Sequence, residues 1–411
     1  MGLISDPFLH EWGGLLLRWL HVIAGIAWIG ASFYFMHLDN ALRPSPDIPV
    51  GKGGEAWEVH GGGFYQVRKF LVAPAQMPSE LMWHKWESYT TWLSGFCLLV
   101  WVYYAQSDLY LIDPAVRSLT ATQAALIGLG GLALGFVVYD LLCRSPLGRN
   151  DVQLGVVLFV FVVFMAFVFQ KVFSGRGALL HTGALMATIM TGNVFFNIIP
   201  GQRKVVASLI AGQTPDPAIG KAAKQRSTHN NYLTLPVLFL MLSNHYPLTY
   251  STQFTFAIVG LVLVAGALIR HFYNQRHAGH GDPWWTWAVS AVCIGLAAAI
   301  SLTGSPSGRE WLGLAAIEPV DPPATRPDPP QQVVDIIIGR CSMCHAAQPV
   351  WDGIGIAPKG VHLDSPQAIA RNAEAIRVQA VISHAMPPNN ITAIEPEERQ
   401  VLAAWLATPN R

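Results

Sequence analysis

Apolar stretches close to twenty residues long recur along the chain, and a stretch of that length has few structural solutions. Crossing the hydrocarbon layer takes about 20 apolar residues in a helix, because no water is present there to satisfy an unpaired backbone. About eight such spans can be drawn, near residues 15–38, 89–105, 121–142, 155–173, 179–199, 232–246, 252–271 and 284–303. The sixth is short and contains Pro236, which removes a backbone donor and frees a carbonyl, so a kink or break is expected there. Composition agrees: 12% of the 411 residues are charged and 52% hydrophobic, against roughly 25% charged in ordinary soluble domains.

The first span is too long for a cleavable leader, follows no basic segment and precedes no small-residue cleavage pattern, so it is read as a retained helix. Basic residues crowd alternate connections. Arg43, Lys52, Arg68, Lys69 and Lys85 lie in the first, Arg144 and Arg149 in the third, Arg203, Lys204, Lys221, Lys224 and Arg226 in the fifth, and Arg270 and Arg276 in the seventh. The positive-inside tendency makes these cytoplasmic, and an even number of spans then puts both termini on the opposite side. With 26 Lys and Arg against 25 Asp and Glu, no global field exists to gather a polyanion. Nucleic acid is thus excluded as a partner and membrane lipid is expected.

Beyond Thr303 the composition changes to a Pro-rich stretch, 319–330, which reads as an extended spacer. The division expected is an integral-membrane domain over 1–304, a linker over 305–330 and a small domain over 331–411. That last domain holds Cys341-Ser-Met-Cys344-His345, the C-x-x-C-H of covalent haem c attachment. Two thiols must reach two vinyl groups on one porphyrin edge while the adjacent imidazole turns under the ring to the iron. Residues 333–340 are expected to form the helix that carries this turn, and 395–405 a terminal helix. Met386, held extended by two following prolines, is the candidate second axial ligand, with His384 as its rival. A disulfide or zinc role for the cysteine pair is the alternative, but no second pair accompanies it, since Cys97, Cys143 and Cys293 stand singly in apolar runs. The fold class is therefore all-α: a polytopic membrane helix bundle with a small C-terminal c-type cytochrome domain.

Ionisable groups at membrane depth are costly, which makes each one a functional candidate. Arg18, His21, Gly25, Trp28 and Ser32 recur at three and four residues and share one helical face. Three roles for His21 stay open: ligand of a b-type haem, partner of Arg18 in holding an anion, or donor in an interhelical hydrogen bond. His181 and His245 are placed at the same, outer depth, where either can pair with His21; His229 lies toward the cytoplasm. Asn193 and Asn197 share a face of the fifth span, as donors to a polar ring or as glue between helices. The cluster 270–277 reads as an interfacial helix end with snorkelling basic groups. Residues 57–74 alternate in a hairpin-like way around three glycines and lack the spacing of a dinucleotide site.

Several strings, taken together, resemble a known family: His21-Val-Ile-Ala-Gly-Ile-Ala-Trp-Ile-Gly30, Val59-His-Gly-Gly-Gly-Phe-Tyr65, Trp86-Glu-Ser-Tyr-Thr-Thr-Trp-Leu-Ser-Gly95, Gly192-Asn-Val-Phe-Phe-Asn-Ile-Ile-Pro200 and His229-Asn-Asn-Tyr-Leu-Thr-Leu-Pro236. The chain is similar over nearly its whole length to the bacterial membrane-bound urate oxidases (urate hydroxylases), which join a membrane domain to a C-terminal cytochrome c. The resemblance implies oxidation of urate to 5-hydroxyisourate at the bacterial inner membrane, without hydrogen peroxide. Electrons would pass to a periplasmic haem c and on to a terminal oxidase or soluble cytochrome c. Residues 18–34 also resemble the first helix of small membrane-bound protoporphyrinogen oxidases, which implies a haem b role for His21. For the substrate site the candidates are Arg18, His21, His181, Asn193 and His245 on the outer side and His60, His84 and His229 on the inner. A quinol-oxidising or electron-relay cytochrome, and a transporter with a fused cytochrome, are the rival classes.

Overall fold

The computed structural model describes residues 7–48, 53–70, 78–114, 116–315, 327–352, 354, 356–382 and 384–407. Four of its long helices begin where side chains satisfy their first N–H groups. Thr120 and Gln123 cap α3 (Ala121–Arg144) reciprocally, Asn150 caps α4 (Asp151–Gln170), Ser174 caps α5 (Gly175–Gly192), and Asp216 followed by Pro217 opens α7 (Pro217–Ser243). Before α3 come α1 (Pro7–Ala41) and α2 (Trp86–Leu98), with α2 prolonged by a π-helical turn over Leu99–Tyr104. A second π turn, Asn193–Ile198, joins α5 to α6 (Ile199–Ile210); α8 (Thr255–Ala278) and α9 (Trp285–Leu302) complete the bundle.

Six helical stretches among the described residues are long and apolar enough to cross a membrane, fewer than the eight spans expected. The other two expected spans are helical as well, in α2 and α7, but both carry polar residues turned inward. In α2 these are Ser88, Thr91 and Ser94; in α7 the stripe Arg226, Asn230, Thr234 recurs every four residues and is buried. Their hydropathy is lowered by the face that packs. Pro236 does not break α7, which runs on to Ser243.

Helices α5 and α8 form the centre. Their most apolar windows are 61% and 56% buried, against 11–28% for the other spans, whose outer faces are left for lipid. Leu185, Met186, Ile189, Val259 and Phe169 fill the interior. Among the free cysteines, Cys143 and Cys293 are buried as small hydrophobes, whereas Cys97 is exposed. The glycine-rich segment is a hairpin as expected: β1 (Gly53–His60) pairs antiparallel with β2 (Gly63–Phe70), and the turn holds Gly61 and Gly62 at φ 59° and 80°, which only glycine adopts cheaply.

The stretch expected as a linker begins with a short helix, Pro306–Trp311, and residues 316–326 lie outside the described ones. The C-terminal domain has its own core of Val333, Ile337, Leu363, Ile369, Leu402 and Leu406, drawn from α10 (Gln331–Arg340), α11 (Pro366–Arg371), α12 (Pro396–Ala407) and the segments between. The ends of the domain are tied by Arg340, whose guanidinium makes paired bonds of 3.0–3.1 Å with Glu398 and one of 2.9 Å to the Thr392 carbonyl.

Burial raises the Glu398 pKa, but the Glu395 N–H and the Arg340 guanidinium more than offset this and leave the carboxyl below its ordinary value. A carboxyl lowered on folding stabilises the domain above its unfolded pKa of roughly 4.3 and loses that contribution as pH falls through the folded value. Glu398→Gln is therefore expected to lower the domain's thermal stability at pH 7 and to flatten its loss below about pH 4. Melting followed by circular dichroism across this range checks it.

Candidate functional site

Helix α10 delivers the C-x-x-C-H segment directly. Its last turn passes into Cys341–His345 through bonds from Cys341 N to Ile337 O (2.9 Å) and from His345 N to Cys341 O (3.0 Å), so one turn carries both thiols and the imidazole. The His345 Nδ1–H donates to the Val361 carbonyl at 3.0 Å, and a carbonyl only accepts, so the proton is on Nδ1 and the lone pair on Nε2. A metal-ligating histidine is commonly oriented in this way. The His345 carbonyl in turn accepts from Leu363 N at 2.6 Å, which fixes the backbone beneath the ring. Burial pushes the Cys341 thiol up to about 11, opposite to the lowered value that makes a redox-active C-x-x-C cysteine reactive. Among the described residues no three of His, Cys, Asp and Glu converge on a metal-sized site, whereas a haem iron asks for two axial ligands only.

Met386 is half-buried and pinned at both backbone groups, its N–H donating to Gln379 O (2.9 Å) and its carbonyl accepting from Arg399 (3.1 Å). The rival His384 is exposed, at φ 52°. Cys341, Cys344, His345 and Met386 therefore fit a covalent haem by chemistry and by the orientation of the imidazole.

The membrane domain does not gather the predicted residues into one site. His21 Nδ1–H donates to the Thr91 carbonyl on α2 (2.9 Å) beside Ser94 Oγ (3.2 Å), leaving Nε2 without a partner among the described residues. Gly95, rather than Gly25, accommodates this ring, for a Cβ at Gly95 would lie 2.8 Å from His21 Cε1. His181 is fully buried and both its nitrogens are committed, Nδ1–H to the Gly177 carbonyl (2.8 Å) and Nε2 accepting from the Tyr104 hydroxyl (3.1 Å). The Phe173 ring lies tilted 4.5 Å from it, and Gly128 leaves the space that Tyr104 and His181 fill. It is thus not available to pair with His21 on an iron without losing Tyr104.

Asn193 and His229, assigned to opposite depths from sequence, meet through Tyr139. The Tyr139 hydroxyl accepts from Asn193 (2.8 Å) and lies 2.8 Å from His229 Nδ1. Asn193 also donates to Asn230 (2.9 Å) and accepts from Arg226 (3.2 Å), and Arg226 pairs with Asp140 (2.8 Å), which also receives Arg144 (2.6 Å) and Asn197 (3.3 Å). The π turn at Asn193–Ile198 forms one wall of this network. Asn193 and Asn197 thus serve as glue between helices. Nor does Arg270 snorkel: it is 5% exposed, stacks 3.8 Å over Phe33 and donates to Asn231 and Asn274.

Arg18 and His245 are exposed near the mouth on the side where the C-terminal domain packs. Beside them stands Arg176, which donates from Nε to Asn244 (2.5 Å) and lies 4.7 Å over the Tyr110 ring. Sequence reasoning passed over Arg176 as a loop residue, Arg226 as a basic flank and Asp140 altogether, although an aspartate inside the third span was signal enough.

Residues 7–301 match the family described as Urate oxidase N-terminal. No curated protein and no solved structure matches the chain.

Arg226→Ala strands Asp140 and Asn193 in a buried setting. Because Arg144 still reaches Asp140, the expected cost is near the lower end for a broken buried pair, about 3 kcal/mol. A drop in the thermal stability of the detergent-solubilised protein, followed by circular dichroism, checks it.

Proposed function

The chain belongs to the urate oxidase N-terminal family, and from that membership we propose that its membrane domain oxidises urate to 5-hydroxyisourate and hands the electrons to a covalent haem c in residues 331–411. The balance is urate plus water giving 5-hydroxyisourate, two protons and two electrons. Oxygen does not enter it, so hydrogen peroxide is not a product. Cys341, Cys344, His345 and Met386 would hold the haem, which when bound would supply one-electron transfer toward a terminal oxidase or soluble cytochrome c.

The chain's own residues supply the rest. The Val361 carbonyl holds the His345 proton on Nδ1 and leaves Nε2 as the lone-pair nitrogen that would meet the iron. Water adding at C5 must lose a proton. His21, His229 and His245 each keep a ring nitrogen free of protein partners and are the proposed acceptors, whereas His181 has none to offer. Urate is largely a monoanion near neutral pH, so its site needs cationic or amide donors and an aromatic wall.

The observation that carries this reading is the family match over 7–301 in a chain that continues into C-x-x-C-H. The purified protein, given urate and soluble ferricytochrome c, is expected to reduce two ferricytochromes per urate and to form no peroxide. Oxygen uptake with one peroxide per urate would contradict it.

His21, with Nδ1–H on a carbonyl and Nε2 open, also fits as one ligand of a b-type haem, though His181 does not fit as the other. Pyridine haemochrome analysis counts the two haem types separately. One haem c that survives His21→Ala, and a haem b lost from that variant, are expected; haem c alone in the wild type would dispose of His21 as a ligand.

A further inference from the structure

Three cations from distant parts of the chain meet where the C-terminal domain packs on the membrane domain. Arg18 comes from α1, Arg176 from the first turn of α5, and Lys359 from the turn Pro358–Gly360, which packs against the turn Pro247–Thr249 after α7. Both arginines act electrostatically on Lys359, and all three cations act on His245. None of the three makes an ion pair with a carboxylate among the described residues, although Arg226, Arg340 and Arg377 all find one elsewhere. Like charges gathered without a counter-charge repel, so the arrangement is stabilised when an anion joins it.

These groups are reachable from solvent rather than packed away. Arg18 and Lys359 are solvent-accessible and Arg176 is half-buried. Burial, then Arg176 and Arg18, lowers the Lys359 pKa. Lys359 sits at φ 58°, a conformation lysine seldom adopts and which persists only where the surroundings impose it. Arg176 donates from Nε to Asn244 and lies over the Tyr103 and Tyr110 rings, and among the described residues its planar guanidinium fork pairs with no carboxylate, which suits it to a planar anion. The Tyr110 ring is 4.7 Å from that guanidinium, and the Tyr250 hydroxyl, electrostatically coupled to Arg176, is shielded from solvent with no hydrogen-bond partner. The Asp140–Arg226 network deeper in the bundle differs, because there the charges are already paired.

We propose that the cleft formed by Arg18, Arg176, Tyr110, Tyr250, His245 and Lys359 binds a planar organic anion, the urate monoanion of the reaction proposed above. The substrate is then held at the junction of the two domains rather than inside the bundle, and a residue of the cytochrome domain completes its site. This rests on the urate reading for the identity of the anion but not for the presence of the site.

Equilibrium dialysis of urate against the full-length, detergent-solubilised protein tests it. The protein is kept reduced by dithionite, so that its haem cannot accept electrons and urate is not consumed. Wild type is expected to bind urate more weakly as salt rises. Arg176→Gln and Lys359→Gln are each expected to lose roughly tenfold or more in affinity, with haem spectrum and melting unchanged, and Lys359→Arg to retain most of it. Because Lys359 lies on an exposed turn, its variants remain informative even where Arg176→Gln impairs folding.

Unchanged affinity in both variants would overturn the proposal, as would displacement of urate by equimolar inorganic phosphate, the mark of an unspecific anion site. Urate turnover by wild type together with unchanged variant affinities would place the substrate elsewhere and leave the oxidase reading intact. Urate bound by wild type and lost in the variants, without any turnover, would support the cleft and remove the reaction.

Discussion

Inside a bilayer a polar side chain without a partner has no water to turn to, and its cost is several kcal/mol. Most of the polar groups in this membrane domain answer that demand among themselves. Asp140 receives Arg226, Arg144 and Asn197; Asn193 bridges Tyr139, Asn230 and Arg226; His181 is closed between Tyr104 and Gly177. These groups hold helices α3, α5 and α7 in register without a hydrophobic driving force between them. What they cannot also do, without breaking those bonds, is hold a ligand.

The groups left incomplete are few and lie elsewhere. His345 and His21 each have one nitrogen fixed by a backbone carbonyl and the other uncommitted, the arrangement expected of a metal ligand. Arg18, Arg176 and Lys359, at the junction of the two domains, make no ion pair with a carboxylate among the described residues. Satisfied polarity thus marks much of the scaffold, and the cations without a carboxylate partner among the described residues lie on the side of the bundle facing the C-terminal domain.

Local features of the fold were legible in the sequence. The C-x-x-C-H turn, the helix before it and the terminal helix are set by spacing within a few residues, and appear as Gln331–Arg340 and Pro396–Ala407. The glycine hairpin was likewise visible, since Gly61 and Gly62 turn it themselves. Hydropathy misjudged α7, whose first half was read as a cytoplasmic loop because Arg226, Asn230 and Asn231 interrupt the apolar run. Those residues face inward, and a one-dimensional average records polarity but not direction. Arg270 was expected to reach for the interface for the same reason; Phe33, Asn231 and Asn274, two of them far away in sequence, give it a place inside. The cleft of residues 18, 176 and 359 exists only once the domains have docked, so no spacing announces it.

If the membrane domain discharges its electrons through the C-terminal haem, then urate added without oxygen must reduce that haem. The direct measurement is rapid anaerobic mixing of urate with the oxidised, full-length protein while the haem absorption is followed. The account predicts reduction of haem c that saturates with urate concentration and is complete before any external acceptor is added. A haem that stays oxidised while urate disappears, or one reduced by a quinol and indifferent to urate, would contradict it.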